Sequence, residues 1–151
     1  MRAAFSNAII TGVFAIVFAS PDFSGTWVCN PIKSGAKSAS GNTEITLVIR
    51  HTSRQLNILR RIEVAGKQIE SNYQFELDGG EHTVSSSGFG TYKYTARWIG
   101  NELIIDGTRS MASKSVPHSF TYSLSADGKS LNVSESLGQG VQPTKQVYVR
   151  K

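Results

Sequence analysis

From residue 44 onward the chain alternates apolar and polar residues with period two. Ile45, Leu47 and Ile49 share one face of residues 44–50, and Leu56, Ile58, Ile62 and Val64 share one face of the next segment. Ile69, Tyr73, Phe75 and Leu77 alternate with Gln68, Glu70, Asn72, Gln74 and Glu76, and Tyr92, Tyr94, Ala96 and Trp98 with Lys93, Thr95 and Arg97. Leu103 and Ile105, Phe120 with Tyr122 and Leu124, Leu131 and Val133, and the closing Val147-Tyr148-Val149 continue the pattern. Strict alternation puts one set of side chains on one face of an extended strand, so each segment reads as a half-buried β-strand. Ala65-Gly66-Lys67, Asp78-Gly79-Gly80, Gly100-Asn101 and Ala126-Asp127-Gly128-Lys129 separate them with residues that tolerate the positive φ of tight hairpins. With segments starting near Ser24, Glu81 and Val141, about ten strands are expected, and no stretch has a useful helical period. The prediction is an all-β chain folded as a single antiparallel up-and-down barrel of about 8–10 strands, whose closure removes the exposed edges of an open sheet. Residues 32–42, rich in Ser, Gly and Lys, read as the loop after the first strand.

The N-terminus breaks this pattern. Arg2 precedes an uncharged apolar run, residues 8–19, which is too short for the roughly 20-residue helix needed to span a bilayer. It ends in Val17-Phe18-Ala19, small and aliphatic residues of the kind that signal peptidases cleave after. Residues 1–19 are therefore expected to be a signal peptide, in preference to a buried N-terminal helix or an uncleaved anchor. The mature barrel domain is residues 20–151, exported to the periplasm or the medium. Removing Arg2 lowers the formal net charge from +5 to +4 and leaves 132 of 151 residues, enough for one core.

The basic residues are scattered rather than gathered on one face with interleaved aromatics, so a nucleic-acid partner is not expected. With no second long apolar run, stable insertion into a membrane is not expected either. Cys29 is the only cysteine and can form no internal disulfide; two residues after Trp27, it reads as a small side chain packed on the inner face.

At Asp22-Phe23-Ser24-Gly25-Thr26-Trp27 the chain resembles the first strand of the lipocalin and fatty-acid-binding superfamily, whose barrels begin with Gly-x-Trp. The resemblance implies that Gly25, Trp27 and Arg150 close the base of the barrel, with Arg150 covering the indole. The segments at residues 25–34 and 123–131 also resemble small exported bacterial barrels. Three departures limit what carries over. Residues 32–42 are too short and too rich in Ser and Gly for the two-helix lid of fatty-acid-binding proteins. Their carboxylate-binding Arg-x-Tyr is reversed here as Tyr148-Val149-Arg150, and avidin-like biotin walls would need more than Trp27 and Trp98.

No arrangement of catalytic residues is recognisable, and no enzyme activity or cofactor is expected. Ser87-Gly88-Phe89-Gly90 and Leu137-Gly138-Gln139-Gly140 precede no helix that could cradle a phosphate, and no serine sits in a Gly-x-Ser-x-Gly turn. His51, His82 and His118 lie on separate segments and read as exposed strand-end or loop residues rather than a metal site. The informative residues are charges on the apolar face: Arg60 in phase with Leu56, Ile58, Ile62 and Val64; Arg109 with Leu103, Ile105 and Met111; Glu135 with Leu131, Val133 and Leu137. Inward charges are costly unless paired. They read either as mutual salt bridges or bulge residues at the barrel mouth, or as receptors, Arg60 and Arg109, for an anionic head group. The preferred function is an exported binding protein holding a small apolar or amphipathic ligand, with Arg60, Arg109, Tyr73, Tyr92, Tyr94, Trp98 and Tyr122 lining its cavity. The alternative is a barrel with a filled core that acts on a protein partner through its loops, for instance as an inhibitor.

Overall fold

The computed structural model describes residues 20–35, 43–86 and 90–151. The proposed signal peptide and part of the Ser/Gly-rich loop lie outside these residues. Ten strands follow one another: β1 (Gly25–Cys29), β2 (Thr43–His51), β3 (Gln55–Val64), β4 (Lys67–Glu76), β5 (Glu81–Ser86), β6 (Gly90–Ile99), β7 (Glu102–Met111), β8 (Lys114–Leu124), β9 (Ser130–Leu137) and β10 (Thr144–Arg150). They form one antiparallel sheet in the order β4-β3-β2-β1-β10-β9-β8-β7-β6-β5, so the first and last strands lie side by side and the sheet curls into a nearly closed barrel. No helix occurs among the described residues.

The sheet ends at β4 and β5, which are consecutive in the chain. There a side chain bridges the elements: the Glu76 backbone N–H donates to the Tyr94 hydroxyl at 2.8 Å, tying the end of β4 to β6. The hairpins follow from turn chemistry. Ala65 and Gly66 both take positive φ between β3 and β4, at 51° and 75°. The β7–β8 turn, which has no glycine, uses Ala112 at φ 51°. That turn was not visible in the sequence, where a β-turn without Gly, Asn or Asp gives little local signal.

The alternation fixes what is inside. Trp27, Leu47, Ile49, Leu56, Ile58, Phe75, Leu103, Ile105 and Leu131 are buried and pack as one core. Gly107 sits on β7 opposite Tyr94 and His118, and a Cβ there would collide with the Lys93 carbonyl oxygen and the Tyr92 ring. Its missing side chain lets the strands converge where the large Tyr92 ring packs.

The base of the barrel closes as the resemblance implied. Trp27 is fully buried opposite Arg150 in the β1–β10 ladder, and the guanidinium carbon stands 4.4 Å over the indole. The indole N–H donates to the Phe23 carbonyl at 2.9 Å, and Arg150 donates to the Ser24 carbonyl at 2.9 Å. Gly25 has φ 140°, and a Cβ there would come within 2.7 Å of the Arg150 guanidinium. Phe23, fully buried and packed in one cluster with His51 and Trp98, completes the plug. Cys29 is half-buried, its Sγ 3.7 Å from the Ser34 hydroxyl.

Candidate functional site

At the opposite end the barrel is hollow. A cavity of about 340 Å³ reaches in from the mouth, walled by β2, β3, β4, β7, β8, β9 and β10. Its bed is aromatic. Tyr73 stacks on Phe75 at 6.3 Å between ring centroids, Phe75 meets Phe120 at 6.3 Å, and Phe120 stacks on Tyr122 at 6.1 Å. Above this bed the walls carry Arg60 from β3, Arg109 from β7, Glu135 from β9, and Gln146 and Tyr148 from β10. All three charged residues that the alternation placed inside therefore line one space.

The polar groups are linked. His118 Nε2 lies 2.8 Å from Glu135 Oε1. This hydrogen bond, with the positive charges of Arg60 and Arg109, holds the Glu135 carboxyl below its ordinary range against the opposing effect of burial. An ionised Glu135 accepts, so His118 Nε2 donates. Tyr148 donates to Gln146 Oε1 at 2.7 Å. Burial pushes the Tyr148 phenol well above its usual range, while the charge and hydrogen bond of Arg60 act the other way. Burial also raises Tyr122, so both phenols stay neutral hydrogen-bonding groups at physiological pH. At the rim, Glu70 is held by Arg61 at 2.7 Å. Inside, Arg60 and Arg109 flank Glu135, and with the Glu70–Arg61 pair at the rim the charged groups around the cavity sum to a net positive charge.

The structure places the other expected wall residues differently. Of the seven residues assigned to the ligand, Arg60, Arg109, Tyr73 and Tyr122 line the cavity. Tyr92 and Tyr94 are buried and do not line it; Tyr92 stands opposite Arg109 in the β6–β7 ladder, its ring over Gly107 and its hydroxyl donating to the His118 carbonyl at 2.7 Å. Trp98 lies at the closed end beside Asp22, His51 and Leu77. Period-two alternation reports which face a side chain takes, but neither its height along the barrel, which sets Trp98 apart, nor the direction in which its ring leans, which turns Tyr92 over Gly107.

The histidines also depart from expectation. His118 is 2 % exposed and lies inside the wall, while His51 is part of the plug at 3.7 Å from Asp22. His82 stands 2.7 Å from Asp78, which is only four residues away. Each thus has an acidic neighbour the sequence reading did not assign. For His118 a signal existed, since it is in phase with Phe120 and Tyr122. Gln146, in phase with Tyr148, could have been found the same way. No group of three His, Cys, Asp or Glu side chains able to hold a metal ion comes together among the described residues.

Comparison with solved structures finds the same barrel fold in several proteins. The chain superposes on human cRBP IV with a TM-score of 0.61 at 17% identity, covering 87% of this chain and 99% of that one. Secretory abundant heat soluble protein 4 from Ramazzottius varieornatus gives 0.60 at 18% identity, covering 89% and 99%. Apo lipid binding protein 8 from Caenorhabditis elegans gives 0.60 at 13% identity, covering 85% and 95%. The chain shares the antiparallel β-barrel fold of these three structures. No family model matches the sequence, and no curated protein matches it. At these identities the likeness is one of fold, and the charged wall has to be interpreted from its own residues.

Proposed function

We propose that this chain is an exported, non-enzymatic binding protein that holds a small amphipathic anion in the barrel cavity. The observation that carries the reading is that Arg60 and Arg109 flank Glu135 above an aromatic bed, while Glu70 at the rim is paired with Arg61. Arginine presents planar, permanently charged donors suited to carboxylate, sulfate or phosphate. The bed of Tyr73, Phe75, Phe120 and Tyr122 would take the apolar tail. The cavity, at the lower end of the roughly 300–1,000 Å³ typical of small-molecule sites, suits a short tail. That a lipid binding protein and a fatty-acid-binding protein share this fold supports the same class of ligand. The cavity also weighs against a filled barrel acting only through its loops.

The test is calorimetric titration with decanoate, octyl sulfate and decanol. Arg60→Met should weaken the two anions about tenfold or more, since a charge-assisted hydrogen bond contributes roughly 1.5–3 kcal/mol, and should leave decanol nearly unchanged. Equal losses for anions and the alcohol would sink the head-group assignment. Export has its own check: protein recovered from the periplasm or medium should begin at Ser20, and soluble protein that retains Met1 would overturn it.

A further inference from the structure

The plug at the closed end has an outer side. Over the cluster of Phe23, His51 and Trp98 lies a second pocket of about 450 Å³, which shares no residue with the mouth cavity. Its size falls within the roughly 300–1,000 Å³ of small-molecule sites. Trp98, Leu77 and Pro21 give it one apolar side, and Ser20 and Ser53 add hydroxyls. Asp22 carries the only formal charge among its lining residues.

Three groups of this pocket are fixed in place. The Ser24 N–H donates to Asp22 Oδ1 at 2.8 Å, and the hydrogen bonds of Ser24 hold the Asp22 carboxyl below its ordinary range, as an anion. A carboxylate offers about four acceptor sites, so Asp22 has capacity left for a ligand. The Phe23 N–H donates to His51 Nδ1 at 3.3 Å, which puts the proton of the neutral ring on Nε2. Burial keeps the imidazole below its ordinary range, against the pull of Asp22. The two groups stand side by side, His51 Nδ1 lying 3.7 Å from Asp22 Oδ1. Trp98 is held by Phe23 at 5.7 Å and His51 at 5.9 Å between ring centroids, and stays partly exposed.

We propose that this pocket is a second binding site, for a neutral saccharide. A hydroxyl is the group that both donates to the Asp22 carboxylate and accepts from the His51 N–H, and a sugar ring presents hydroxyls in adjacent pairs. Its C–H face is apolar and would lie against the Trp98 indole, with Leu77 beside it. Other ligand classes fit less well. Asp22 repels an anion. A cation would gain Asp22 and the indole face, but it meets the His51 N–H, and the charge of Arg150 already acts on Asp22. An alkyl chain would desolvate Asp22 and His51 without giving them partners. A chain cut after Ala19 would bring the Ser20 ammonium to the pocket, a further donor that cancels the charge of Asp22. None of this rests on the ligand proposed for the mouth.

The test is titration of the full chain with cellotetraose, maltotetraose and chitotetraose. The chain has two tryptophans, so its two indole N–H resonances report on the site separately, and Trp98→Phe assigns them. At least one tetrasaccharide should shift the Trp98 resonance saturably while the buried Trp27 stays nearly unmoved. Raising salt should leave the binding unchanged, as befits an uncharged ligand. Asp22→Asn should weaken it about tenfold or more through the loss of a charge-assisted hydrogen bond. That variant keeps an acceptor for the Ser24 N–H at a side chain that is 73 % exposed, and circular dichroism would verify the fold. Decanoate should not displace the sugar. A Trp98 resonance unmoved by all three sugars, an Asp22→Asn variant that binds as well as the parent, or displacement by decanoate would each overturn the proposal. So would a saturable shift with choline that falls with salt and has no counterpart among the sugars, which would make the pocket a cation site. A failure of decanoate to bind at all retires only the mouth ligand and leaves the sugar titration standing.

Discussion

The two ends of this barrel are made from the same strands with the same alternation, yet one is solid and the other hollow. At the base, Phe23, Trp27, His51 and Trp98 fill the interior, and the polar groups among them find fixed partners: the indole N–H on the Phe23 carbonyl, Arg150 on the Ser24 carbonyl. At the mouth the inward positions carry Arg60, Arg109 and Glu135, whose charges are held around open space. Aromatic packing stabilises the base by removing apolar surface from water, at roughly 25 cal/mol per Å². The mouth gives up part of that stabilisation for electrostatic reach into a cavity. The difference locates stability at one end and the proposed recognition of the anion at the other, and substitutions should separate the two.

The largest expected effect is at the base. Trp27→Ala should cost about 3–5 kcal/mol in denaturant unfolding, because it removes a fully buried indole from a closed region. With no disulfide in reserve, that is a large share of a typical stability of about 5–15 kcal/mol. A loss below about 1 kcal/mol would mean that the Trp27–Arg150 closure does not hold the barrel. Arg150→Met should cost less, about 1 kcal/mol, since it keeps most of the stem over the indole and removes the cation–π contact and the Ser24 hydrogen bond. At the mouth, Arg60→Met should change stability by less than about 1 kcal/mol, because it relieves repulsion from Arg109 while giving up a bond to Tyr148. An Arg60 variant as unstable as Trp27→Ala would show that the mouth cluster is structural and not a site.

How legible these ends were differs in the same way. The strands, most hairpins and the facing of Arg60, Arg109 and Glu135 follow from a period of two, which any half-buried strand must show. Closure by Gly25, Trp27 and Arg150 came from a short motif with a definite geometry. Three things were not legible. Height and ring direction were one, so Trp98, at the closed end, and Tyr92 and Tyr94, packed in the wall, were assigned to a cavity they do not line. Cross-strand pairing was another: His118 and Glu135 are neighbours only through the β8–β9 register. The third was the β7–β8 turn, where Ala112 adopts a left-handed conformation for which its side chain gives no cue.

The smallest effect, and the one that most sharpens the contrast, concerns Glu135. Its carboxyl sits below its ordinary value of 4.5, chiefly through the His118 hydrogen bond and then the charges of His118, Arg60 and Arg109. A depressed folded value means that its contribution to stability is complete above the unfolded value and is lost as pH falls through the folded one. Acid should therefore loosen the mouth below about pH 4.5. The same protonation removes the one carboxylate facing Arg60 and Arg109, so an anion that stays ionised should bind more tightly there. Octyl sulfate should gain severalfold in affinity as pH falls through the depressed folded value of Glu135, taking up a proton as it binds. Glu135→Gln, which preserves the shape and an acceptor for His118, should give the higher affinity already at neutral pH and abolish the proton uptake. If the variant binds octyl sulfate no better than the parent, the arginines do not act on the ligand as a charge pair opposed by Glu135. The mouth cations would then belong to the wall rather than to recognition.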